Sequence, residues 1–243
     1  MKNLIMRELY LARKTIRITL LVLLIFIIGS NLVLLSARVG NIAKYVPADE
    51  LDEILPTLKS IFMYFVFMLG MDASGILNVV ISDYASGWMK YINTTPVSAL
   101  RLVAAKYISM GIITLCGVVV GTVNLIISGA ISHIGVSGKD IAMIVVLCSI
   151  MSFFNIYLMP FALRFRGTEK AILGTLPIML VLFIYFLFKS SILDGDIDMD
   201  TGFTRVMDMA VHNVWIFVTV IILGWIISFV VSYKVAKGYK VRG

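Results

Sequence analysis

Six runs of mostly apolar residues divide this chain, at about 18–37, 60–82, 107–131, 141–163, 171–188 and 214–233. A helix rises ~1.5 Å per residue, so ~20 such residues cover the ~30 Å hydrocarbon core of a bilayer. Barrel strands are ~10 residues long and alternate in polarity, whereas these runs are continuous. The expected fold class is therefore an all-α integral membrane protein, one transmembrane domain over 1–243 with six transmembrane helices. Composition agrees: 14% of residues are charged, against about 25% in soluble domains. The 21 Lys and Arg are scattered between apolar runs and form no basic patch, which argues against a nucleic-acid partner. Cys116 and Cys148 both fall inside apolar runs and read as reduced small hydrophobes. The first run is too long for a signal peptide and follows a basic lead, so Leu35-Ser36-Ala37 reads as part of a retained signal-anchor.

Loop charges give the orientation. The N-terminus, the 83–106 loop, the 164–170 loop and the C-terminal tail carry 15 Lys and Arg against Glu8, Asp83 and Glu169, net +12. Loops 38–59, 132–140 and 189–213 carry six against ten acids, net −4. Both termini are expected in the cytoplasm, in a chain crossing the cytoplasmic (plasma) membrane several times.

Two segments on the basic side stand out. In residues 1–17, Met1, Ile5, Leu9, Ala12 and Ile16 recur at helical spacing, with Arg7, Lys14 and Arg17 opposite. The pattern predicts an N-terminal amphipathic elbow helix in the headgroup region, ahead of the first span. Between the second and third runs, Tyr84, Trp88 and Tyr91 recur at i, i+4, i+7 and predict an aromatic face on a short interfacial helix. Gly87 and Asn93 interrupt any longer helix there. Thr95-Pro96 reads as a helix start, Thr95 the N-cap and Pro96 the first helical residue.

The run Asp83…Ser86-Gly87-Trp88…Tyr91…Thr95-Pro96-Val97-Ser98…Lys106-Tyr107, six spans and a basic amphipathic N-terminus resemble the permease subunits of ABC-2 type transporters. They are most similar to small bacterial permeases whose signature reads Lys-Ser-Gly-Trp, Leu-Pro-Val-Ser-Arg and Lys-Tyr. Ala85 stands where Lys is common in that family and Thr95 where Leu is common. The motif match covers 83–107, the topology match the whole chain. The resemblance implies a type V exporter-like transmembrane domain in a bacterial membrane. It implies that 84–95 is a coupling segment docking on a separate ABC ATPase subunit, through Tyr84, Trp88, Lys90, Tyr91, Pro96 and Arg101. It also implies two copies of the chain with two ATPase subunits, and substrates that are amphipathic or hydrophobic, such as cationic peptides of the phenol-soluble modulin or bacteriocin type. No Walker A pattern occurs in the chain, so ATP and magnesium are expected in the partner and no cofactor on this chain. The competing reading is a non-transport membrane protein, an assembly or sensory factor.

Within the runs, Asp72 is the one acidic residue near a span's middle. A charge there costs at least ~2.5–3.5 kcal/mol on insertion scales, so it should face protein or water. It reads as a structural hydrogen-bonding group or, with Asn78, as part of a substrate path. A second membrane Asp or an embedded His would be needed for protease chemistry, and neither is present. Asn31, Asn78, Asn124 and Asn155 place one amide in each of the first four spans, suiting interhelical hydrogen bonds. Gly117 and Gly121 form a GxxxG in the third, and Pro160 and Pro177 are positioned to bend the fourth and fifth. The acidic loop 194–200 fails the EF-hand test at positions six and twelve, and no metal site is expected. With the native cysteines replaced, single cysteines at Gly40 or Thr201 should label from outside intact cells, and ones at Thr94 or Gly243 should not. Outside labelling at Thr94 would reverse the orientation.

Overall fold

Between Lys2 and Ile28 the chain contains neither glycine nor proline, so nothing in its first 28 residues stops a helix from propagating. In the computed structural model it does not stop. Helix α1 runs unbroken over Lys2–Val39. The structure describes residues 1–39, 74–94, 96–132, 135–165 and 212–241. Within them follow α2 (Ser74–Ala85), α3 (Trp88–Thr94), α4 (Ala99–Ser132), α5 (Gly138–Phe165) and α6 (Val214–Val241); no strand occurs among the described residues. Among the described residues four helices are long and apolar enough to cross a membrane, and α2 is a shorter apolar helix. They match the expected runs 18–37, 107–131, 141–163 and 214–233. The run 60–82 is described only from Ser74, and 171–188 lies outside the described residues.

The expected elbow is absent. Residues 1–17 continue straight into the first span, and their apolar stripe meets protein: Ala12 is buried, and Leu9 and Ile16 pack against the main core cluster. Gly75 of α2 lies on the face that α1 packs against, at ordinary contact distance. A Cβ there would lie 3.6 Å from Ala12 Cβ and from Thr15 Cβ. The segment is thus a member of the bundle rather than a helix lying across its base.

Helix starts follow local chemistry. Helix α4 begins at Ala99, beyond the expected start. Ser98 caps it: its Oγ accepts the Arg101 N–H at 3.3 Å and its carbonyl accepts the Leu102 N–H at 3.2 Å. Ser is the better capping residue, and Pro96 lies in the bend before it. Helix α5 starts in a reciprocal box. Ser137 Oγ accepts the Asp140 N–H at 3.3 Å, and Asp140 Oδ2 accepts the Ser137 N–H at 3.0 Å. Pro160 sits inside α5 without ending it.

Helix α4 is the hub, packed against α1, α5 and α6. Lipid tails are as apolar as leucine, so packing and hydrogen bonds hold spans together in place of a hydrophobic gradient. Towards the end of α1, Asn31 donates to Asn124 Oδ1 at 3.1 Å and accepts from Ser128 Oγ at 3.0 Å. Asn155 is also buried, whereas Asn78 is exposed on α2. Gly117 and Gly121 are buried within the chain. Thr114 Oγ1 meets Ser152 Oγ at 2.9 Å. The Tyr107 hydroxyl lies 2.6 Å from Ser228 Oγ and 2.8 Å from Ser232 Oγ, and Ser228 donates to the Ile156 carbonyl at 2.6 Å. That last set ties α4, α5 and α6 at one level. Tyr107→Phe should therefore destabilise the purified protein by about 1 kcal/mol, read as a lower thermal midpoint in detergent with unchanged helix content.

Candidate functional site: the charged joint at the basic end

Helices α1, α2 and α4 each bring an apolar stripe into the core, and each stripe is interrupted once by a charge. In α1 the sequence Ile5, Glu8, Ala12 keeps helical spacing; in α2 it is Ile76, Val79, Val80, Asp83; in α4 it is Val103, Lys106, Met110. The structure buries all three charges, Glu8 at 0%, Asp83 at 1% and Lys106 at 0% exposure. A buried charge requires a partner, and the partners are one another. Lys106 Nζ donates to Glu8 Oε2 at 2.8 Å and to Asp83 Oδ2 at 3.0 Å. Arg7, half-buried beside them, donates to Glu8 Oε1 at 2.9 Å and to both oxygens of Asp83. Two cations and two carboxylates alternate around a closed ring, and its formal charge is zero.

The ring joins three helices and reaches a fourth. The Arg7 guanidinium also lies over the Trp88 ring, 4.2 Å from its centroid, a cation–π contact worth ~0.5–2 kcal/mol depending on desolvation. Trp88 opens α3, which is set off from α2 by Gly87 at φ +74°. Only glycine adopts that left-handed conformation without a steric penalty. On the other side of Gly87, Tyr84 donates its hydroxyl to the Leu163 carbonyl near the end of α5 at 2.6 Å. The short α3 is therefore anchored to α1 through Arg7 and, across Gly87, through α2 to α4 and α5.

This arrangement changes the expected aromatic face. Tyr84 belongs to α2 and Trp88 and Tyr91 to α3, so the turn at Gly87 divides the three rings between two helices. Helix α3 ends at Thr94, one residue past Asn93, and α4 begins at Ala99, so the chain is interrupted at Gly87 and again next to Asn93. Met89 and Ile92 fasten α3 to the core. Trp88 is partly buried, with its ring 5.4 Å from that of Tyr91, and Tyr91 is 60% exposed. Pro96 and Arg101 are exposed. The Lys90 side chain, Thr95 and Asp72 lie outside the described residues. Of the expected site residues, the structure brings Tyr84, Trp88 and Tyr91 together around one turn; Asn78 faces away from the core.

Sequence reading missed the ring, counting Glu8, Asp83 and Lys106 as loop charges. The available signal was their angular position: each falls on the buried stripe of its own helix. The ring predicts a charge-balance effect. Lys106→Met leaves two buried carboxylates against one cation and should cost about 3–5 kcal/mol, lowering the thermal midpoint steeply. Adding Glu8→Gln restores neutrality and should recover part of that loss. A double variant no more stable than Lys106→Met would show that the ring is not held by charge balance.

Compared with known protein families, the chain matches the one described as ABC-2 family transporter protein over residues 54–237, about three-quarters of its length. No curated protein and no solved structure matches it.

Proposed function

We propose that this chain, which belongs to the ABC-2 family of transporter proteins, is the membrane-spanning permease subunit of an ATP-driven exporter. In this reading a separate ABC ATPase docks on α3 from the cytoplasm. Two copies of the chain assemble with two ATPase subunits and enclose the path of an amphipathic or hydrophobic substrate, cationic peptides being the narrower expectation. The partner binds ATP and magnesium.

The observation that carries the proposal is the junction of α2 and α3. A segment that passes movement from a docked ATPase to spans must be stiff and must be fixed to more than one of them. Helix α3 meets both requirements. Met89 and Ile92 seat it in the core, Arg7 links it to the charged ring, and Tyr84 holds the adjoining turn to α5. Tyr91 alone among its aromatic residues is largely exposed, as an anchor for a partner's pocket should be. Asp72 and the exposed Asn78 are the residues we assign to the substrate path.

Exposure makes Tyr91 the cleaner probe, since Trp88 also supports Arg7. Tyr91→Ala should leave the thermal midpoint unchanged and weaken association with the cognate ATPase by about 2 kcal/mol, roughly thirtyfold in affinity. Co-purification and coupled ATP hydrolysis at the original level would remove α3 as the dock.

A further inference from the structure

We propose that the cleft between α4 and α6 holds one acyl chain of an anionic phospholipid, whose headgroup is clamped by Arg101 and Lys237. The cleft has a volume of about 340 Å³, within the usual range for small-ligand sites. Ala104, Tyr107 and Gly111 form one wall, Trp225 and Phe229 the other. No polar atom is presented to it: the Tyr107 hydroxyl is turned away into Ser228 and Ser232, leaving its ring edge-to-face with Trp225 and Phe229 at 6.0 and 5.4 Å. At Gly111 the Trp225 ring rests close against α4, where a Cβ would meet it at 3.4 Å. The rims, Ile108 and Ile226, are 42% and 54% exposed, so the cleft opens sideways from the bundle, among the exposed apolar residues Ile112, Ile222 and Leu223.

Two observations identify the occupant. The first is length. Helices α4 and α6 run antiparallel, with Gly111 beside Trp225 and Tyr107 beside Phe229. Continuing that register puts Arg101 level with residue 235, beside Lys237. From Gly111 to Arg101 is ten residues, about 15 Å along a helix, a reach that an acyl chain with its headgroup at Arg101 can cover within one leaflet. The second is charge. Arg101 lies on the Ile108 side of α4 and Lys237 on the Ile226 side of α6, both exposed, so they flank the open side of the cleft at headgroup level. Among the described residues neither pairs with a carboxylate. A second copy of the chain is a poor occupant. Its basic end would meet Arg101 and Lys237 with like charge, and the described acids of that end, Glu8 and Asp83, are buried in the ring.

The test uses Trp225 as a reporter, in the Trp88→Phe/Trp215→Phe protein reconstituted with lipids carrying brominated acyl chains. Brominated phosphatidylglycerol should quench Trp225 with a relative binding constant roughly tenfold or more above that of brominated phosphatidylcholine, since each cation near an anionic headgroup is worth about fivefold. Adding Arg101→Gln and Lys237→Gln should bring the two lipids within about twofold. Ala104→Leu, which fills the cleft, should weaken quenching by both. Native mass spectrometry of the unaltered chain should show the same preference as retained phosphatidylglycerol. Equal quenching by the two lipids in the parent protein would reduce the cleft to ordinary boundary lipid. Absence of quenching by either would mean that protein covers it. A preference that survives the double Gln variant would overturn the clamp.

Discussion

The bundle is organised by a ring of four charges, three of them buried and the fourth, Arg7, half-buried. Burying ions costs several kcal/mol each even after relaxation, and mutual attraction offsets this only when the geometry is good and the carboxylate oxygens have partners. Arg7, Glu8, Asp83 and Lys106 satisfy that condition because each cation donates to both carboxylates. The geometry is demanding. A displacement of α1, α2 or α4 relative to the others leaves a charge unpaired. Apolar contacts between smooth helices can slide at little cost, whereas a closed ring of charges has one favourable register. The three helices are therefore fixed to one another at the basic end, and α3 is fixed to them through Arg7 and Gly87.

Away from the ring, neutral polar contacts take over. Asn31 with Asn124 and Ser128 joins α1 to α4, and Tyr107 with Ser228 and Ser232 joins α4 to α6. These bonds are individually weak in a membrane, because the separated helices also find partners. Helix α3 is connected to α1 and α4 through the ring and to α5 through the Tyr84–Leu163 bond, the contacts on which the proposed docking rests. A phospholipid between α4 and α6, clamped at the same end, would connect that joint to the composition of the surrounding leaflet.

Long apolar runs require membrane helices because an unsatisfied backbone group in hydrocarbon costs several kcal/mol. Lys and Arg asymmetry marks a basic side, and Ser86-Gly87-Trp88 with Pro96-Val97-Ser98 pointed to the family that the comparison supports. Gly87 as a breaker was also legible, since a left-handed turn has few other solutions. Which face of each helix meets which neighbour came from packing in three dimensions. The stripe of residues 1–17 was visible in the sequence, but a stripe suits a headgroup layer and a protein groove equally well; α2, distant in sequence, packs against it. Glu8, Asp83 and Lys106 were countable as charges, yet their signs and positions along the chain do not reveal that three helices bring them within 3 Å. Hydropathy and charge counts are local sums along one dimension, whereas pairing depends on angle and depth in a packed bundle.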